Sequence, residues 1–169
     1  MLRRNKDTTK GSGTGANPYV DRRARALASV EAGLTPPGPA HPTVWGVVID
    51  LPTGDRQGFT LVALGDGTTL MHASGGQTID ASTDDAATAV AERLLAVIER
   101  EWLDHLADDD GSLPRPDQAR YHVLQQEGVR GLDVPRDMVW GHKEGGGDLV
   151  AATQRLIEAI RNVEPAPPA

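Results

Sequence analysis

The chain has 169 residues, no cysteine and a formal net charge of −7. That length suits one domain and buries roughly 70% of the unfolded surface without covalent staples. The absence of thiols excludes disulfides, thiolate metal sites and cysteine nucleophiles. No apolar run approaches about 18 residues, so no membrane-spanning helix is expected. No apolar stretch follows Met1-Leu2-Arg3-Arg4-Asn5-Lys6, so no secretory signal is expected either, and the expected compartment is the cytoplasm. The charge is uneven. Residues 1–25 hold seven basic residues against two acids, while the remainder holds ten against 22. An acidic body of this kind argues against a nucleic-acid-binding domain.

In chain order, residues 1–16 are polar and include Gly11-Ser12-Gly13-Thr14-Gly15, the composition of a flexible basic leader. Asn17-Pro18 is a helix start, Val20, Ala24, Leu27 and Val30 form an apolar stripe, and Gly33 is a stop. A Pro-rich connector, residues 35–42, leads to a strand over Thr43–Leu51. That strand is apolar on both faces, with Trp45, Val47, Ile49 and Leu51 on one side and Val44, Gly46 and Val48 on the other, as expected of a central strand. A second strand, Gly58–Leu64, is joined by the Asp66-Gly67 hairpin signal to a third, Thr68–Ser74, which ends at Gly75-Gly76.

Ser82 or Thr83 is the expected cap of a long helix over residues 84–106, whose stripe is Ala87, Val90, Ala91, Leu94, Ile98, Trp102 and Leu106. Asp108-Asp109-Asp110-Gly111 marks its end and the start of a solvated loop. Strands over Arg120–Gln126 and Val129–Val134 follow. Gly145-Gly146-Gly147 is a hinge before a last helix capped by Asp148, and residues 164–169 are a frayed tail. The order α-βββ-α-ββ-α predicts a single α+β domain over 17–163. It should be a two-layer sandwich, a five-stranded mostly antiparallel sheet with helices on one face.

The segments Thr43-Val44-Trp45-Gly46-Val47, Leu61-Val62-Ala63-Leu64, Asp66-Gly67-Thr68-Thr69 and Ser74-Gly75-Gly76 resemble a group of small bacterial α+β proteins with no assigned activity. They all fall within residues 43–76. The element order is similar to that of the type III secretion chaperone-like fold, whose members are small, acidic, commonly dimeric and bind other polypeptides. That resemblance implies a polypeptide partner and a homodimer.

The motifs carry little chemistry. Gly11-x-Gly13-x-x-Ala16 lacks the preceding strand that a dinucleotide fingerprint requires. Setting Gly111 at position six of a calcium loop puts Leu106 where a carboxylate is needed. The five histidines, 41, 72, 105, 122 and 142, have no metal-ligand spacing, so no metal or cofactor is expected. His72 and Ser74 share a strand face beside Gly75-Gly76 and are the one candidate base and nucleophile, although no orienting acid accompanies them. A polar, solvent-facing side of an edge strand accounts for the same two residues. Trp140, in a predicted loop, is a candidate contact residue, because tryptophan is enriched at interfaces. Arg3, Arg4 and Lys6 are candidates for an acidic partner. The favoured expectation is a non-enzymatic, adaptor- or chaperone-like protein that binds another polypeptide. The alternatives are a small hydrolase or ligand-binding enzyme using His72 and Ser74, or an accessory factor whose basic arm meets a polyanion.

Overall fold

The computed structural model describes residues 18–28, 37–54 and 57–163. The leader, Asn17, Gly33 and the tail lie outside the described residues, and with them Arg3, Arg4 and Lys6.

Seven strands form one open antiparallel sheet in the order β4-β3-β2-β1-β6-β7-β5. They are β1 Val44–Pro52, β2 Gly58–Leu64, β3 Thr69–Ala73, β4 Thr78–Asp80, β5 Ala107–Asp108, β6 Gln118–Gln125 and β7 Gly128–Pro135. The sequence predicts five. The two further strands have three and two residues, too short to carry an alternating pattern. Gly76, at φ 93°, makes Gly75-Gly76 a turn into β4 rather than the end of the meander. β5 pairs with β7 through Ala107–Gly131 and Asp108–Arg130. β3 is therefore an interior strand, and His72 on it is buried rather than solvent-facing.

β1 is central, as its two apolar faces predict, but its first turn of pleat differs. A register shift between Val44 and Gly46 reverses the alternation there. Val44 thus joins Val47, Ile49 and Leu51 in the main core, while Trp45 packs on the opposite side with Val48. Glu99 accepts the N–H groups of Thr43 and Val44 at 2.9 and 2.8 Å, which ties the entrance of the strand to the long helix.

The main core lies between one sheet face and two helices, α2 (Asp85–Glu101) and α4 (Gly147–Arg161). Leu94, Ile98, Leu149, Leu156 and Ile160 meet Val47, Ile49, Leu61 and Val123 there, all buried. The Tyr121 hydroxyl bonds Thr153 Oγ1 at 2.9 Å, and Thr153 donates to Leu149 O at 2.8 Å, so this buried phenol is satisfied. α2 is shorter than expected and gives way to a 3₁₀ turn over Leu103–His105. Its cap is Asp84, not Ser82 or Thr83: Asp84 Oδ1 accepts the Ala87 N–H at 2.8 Å. α4 is preceded by Gly146 in the left-handed region, where a Cβ would lie 2.1 Å from Val150 Cγ2, so Asp148 falls in the first turn instead of at the cap.

The first helix, α1 (Pro18–Leu27), packs on the other face. Its Ala26 and Leu27 meet Val48, Val62, Leu64 and Leu124. Because successive strand residues point to opposite sides, the helices of this fold lie on both faces of the sheet, not on one.

Asp84→Ala removes a cap bond that closes the N-terminus of the helix that places Ala87, Ala91, Leu94 and Ile98 in the main core. It should lower unfolding free energy by about 1 kcal/mol, read from urea unfolding with an unchanged slope.

Candidate functional site

The strand register builds a polar row across the α1 side of the sheet. Thr78, His72, Thr60, Asp50, Arg120 and Asp133 are successive cross-strand partners from β4 to β7. The neighbouring row is Leu70, Val62, Val48, His122 and Gly131. A buried carboxylate on a central strand is costly unless it is paired and hydrogen-bonded. Asp50 is both. Thr60 donates to its Oδ1 at 2.6 Å, and its Oδ2 lies 2.7 Å from Arg23 Nε and 2.9 Å from His122 Nε2. Burial alone would push the Asp50 carboxyl up. The His122 bond, the Arg23 guanidinium and the Thr60 hydroxyl outweigh it and hold the group below the ordinary aspartate value.

Arg23 comes from α1, and that helix keeps the expected stripe at Leu27 but not at Val20 and Ala24. The predicted apolar stripe began at Val20 and Ala24, yet both are exposed, Val20 at 51%. The side turned to the sheet carries Arg22, Arg23, Ala26 and Leu27. Arg23 Nη2 donates to Gly111 O at 2.9 Å and Ser112 O at 3.2 Å, and stands 3.0 Å from His122 Nε2. Arg22 donates to Gly76 O and to Thr78 Oγ1, both at 2.8 Å. The physical reason is the polar row itself. Two cations on one helix face satisfy acceptors that Val20 and Ala24 could not.

His122 is fully buried between two carboxylates, Asp50 at Nε2 and Asp109 at Nδ1, the latter at 2.5 Å. Asp109 was expected in a solvated loop, but its side chain is 1% exposed. Two features let it reach inward. Its Oδ1 accepts Gly111 N at 2.9 Å, which folds the loop back, and Gly131, the β7 partner of His122, leaves a gap that its carboxylate fills. A Cβ at Gly131 would stand 3.1 Å from Asp109 Cβ and Cγ. Asp109, His122, Asp50 and Arg23 therefore form one buried chain from the loop, through β6 and β1, to α1.

Beside Asp50 opens a cleft of about 160 Å³, lined chiefly by Leu51, Pro52, Gly58, Leu113, Pro114 and Pro116. Leu113 is 57% exposed. Ser74 lines the same cleft, but its Oγ accepts Gly58 N at 3.1 Å. His72 Nδ1 bonds Thr78 Oγ1 at 2.9 Å. The two candidates for base and nucleophile thus each hold a different partner. Trp140 follows a short helix, α3 (Arg136–Val139), and is half-buried. It meets Phe59 edge-on at 6.4 Å, with the Arg161 guanidinium 5.9 Å from its ring. Among the described residues no cluster has the arrangement of metal ligands.

Sequence reasoning missed Asp50, Asp109, His122 and Arg23. One signal was present: an aspartate inside a strand apolar on both faces must have a buried partner.

The histidine on this row also sets a pH dependence. Burial, and then the Arg22 charge, hold the His72 imidazole below its ordinary value. The folded state therefore binds this proton less readily than the unfolded chain. The stability concerned is complete above the unfolded histidine value and is lost as pH falls from there through the depressed folded value. Asp50, also depressed, acts at lower pH: its contribution is present above the unfolded carboxylate value and is lost as pH falls through the folded one. Unfolding free energy measured in urea across this range should decline in two steps on acidification, and His72→Gln should diminish the first. Stability that rises on acidification would contradict the assignment.

No protein-family model, curated protein or solved structure matches this chain.

Proposed function

We propose that the protein binds an apolar segment of another polypeptide on the surface where α1 meets the loop over residues 109–116. One observation carries this reading. The two large apolar side chains exposed among the described residues are Val20 and Leu113, and they belong to the two segments that Arg23 ties together. Leu113 sits on the lip of an apolar cleft whose walls include Pro114, Pro116, Pro52 and Leu51. A small cleft with rigid proline walls suits one inserted aliphatic or aromatic side chain, the form that binding anchors commonly take. Turning Val20 outward also forgoes its burial, which would otherwise contribute about 1.5 kcal/mol or more.

This is the function of a binding protein. The partner is a polypeptide with an exposed apolar anchor, and a second copy of the chain is one such polypeptide. The hydrolase reading has less support, because His72 and Ser74 hold separate partners. The body carries a net negative charge, which disfavours a polyanion at this surface.

The test is partner recovery from the source cell with photo-cross-linking from position 113. Leu113→Asp and Val20→Asp should each cut recovery about tenfold or more while leaving thermal stability within about 0.5 kcal/mol of wild type, as surface changes do. Undiminished recovery with both variants would remove the surface from consideration.

A further inference from the structure

The ring nitrogen Nε2 of His122 faces two groups with opposite demands. Asp50 Oδ2, at 2.9 Å, can only accept a hydrogen bond, and Arg23 Nη2, at 3.0 Å, can only donate one. A single ring nitrogen cannot serve both. Without a proton, Nε2 accepts from Arg23 and helps hold α1 to the sheet. With a proton, it donates to Asp50 and places a positive imidazolium against the Arg23 guanidinium. Nδ1 keeps its bond to Asp109 in either state.

From this geometry we propose that α1 is a proton-sensitive latch, released on acidification, which dismantles the polypeptide-binding surface formed by Val20 and Leu113. The inference rests on the proposed binding surface for its consequence, but the latch itself stands on the α1 contacts alone.

The groups around His122 are accounted for on every side. Asp50 lies on β1, Asp109 on the loop after β5, and Arg23 on α1. On its own strand, Arg120 is engaged by Asp133 through two bonds of 2.7 and 2.8 Å and by Asp110 at 3.8 Å. Arg23 is thus the cation that a protonated His122 opposes directly. The arrangement is repeated at the other arginine: Arg22 shares Thr78 Oγ1 with His72 Nδ1, so a proton on His72 also meets a cation from α1. Asp50 stays ionised where imidazoles change charge, since its carboxyl is held below the ordinary value.

Coupling of this kind is reciprocal. If a proton on His122 weakens the hold of Arg23, then removing the Arg23 charge must make His122 easier to protonate. The main core does not depend on α1, because α2 and α4 fill that face of the sheet, and α1 covers only the smaller cluster around Val48, Val62 and Leu124. Release of α1 is therefore a local event and not global unfolding.

The cysteine-free chain permits a direct test on the full-length protein. Ala24→Cys on α1 and Glu127→Cys on the β6–β7 turn carry spin labels, and their separation is measured between about pH 8 and about pH 5, the range in which imidazoles change charge. One short distance is expected at the upper end. A longer, broad population should grow on the order of tenfold toward the lower end. His122→Gln combined with His72→Gln should flatten this response. Should that variant fail to fold, Arg22→Gln with Arg23→Gln, changed only on the outer helix, must flatten it instead. A wild-type distance that ignores pH overturns the latch, as does an unchanged response in the arginine variant. Val20→Asp separates the two readings. It should lose the partner yet keep the pH response, and a partner that binds equally at both ends of the range despite an open α1 would leave the latch standing but refute its link to binding.

Discussion

The contact between Arg23 and Asp50 is the constraint on which the rest of this surface depends. A central strand that is buried on both faces admits a carboxylate only with compensation. The sheet supplies Thr60 and His122, and a helix from outside it supplies the cation. The Arg23 and Asp50 side chains are 11% and 2% exposed, so little water is available to screen the pair. Pairs of this kind return little net stability against an apolar alternative, but loss of one partner strands the other. Here the consequence is directional. The pair fixes which side of α1 faces the sheet and, with it, which side chains face solvent.

The two faces of the sheet are built on different principles. The α2 and α4 side is an aliphatic core closed by a single buried hydroxyl pair, Tyr121 with Thr153. Removal of water holds it. The α1 side mixes a small apolar patch around Val48, Val62 and Leu124 with a row of polar partners that crosses six strands. Hydrogen bonds and charge hold that cover in place, so its strength depends on protonation.

Much of the fold was legible in the sequence. The two apolar faces of residues 44–51 place β1 at the centre, and Asp66-Gly67 does make the hairpin, with Gly67 at φ 91°. The stripe of α2 is buried through Ala87, Ala91, Leu94 and Ile98. Two short strands and the bulge after Val44 were not legible, because each is decided by one glycine or one pairing rather than by a run. The site was hidden for a different reason. Arg23 meets Asp50 across 27 positions and His122 across 99, so no local spacing brings the chain of charges together. Asp109 looked like any member of an acidic run, and only the gap at Gly131 singles it out. Hydrophobic periodicity misled at Val20 and Ala24 of α1, where a polar acceptor row drew Arg22 and Arg23 to the sheet, but held at Leu27.

The central claim is that α1 is seated by its arginines, and a double-mutant cycle between Arg23→Ala and Asp50→Ala tests it most directly. Residues in one buried hydrogen-bond network couple, whereas distant ones add. The account predicts a coupling free energy between about 1 and 3 kcal/mol, with the Arg23→Ala effect largely absent once Asp50 is gone. Additive losses, with no coupling beyond about 0.3 kcal/mol, would show that α1 is held by other contacts and would contradict the account.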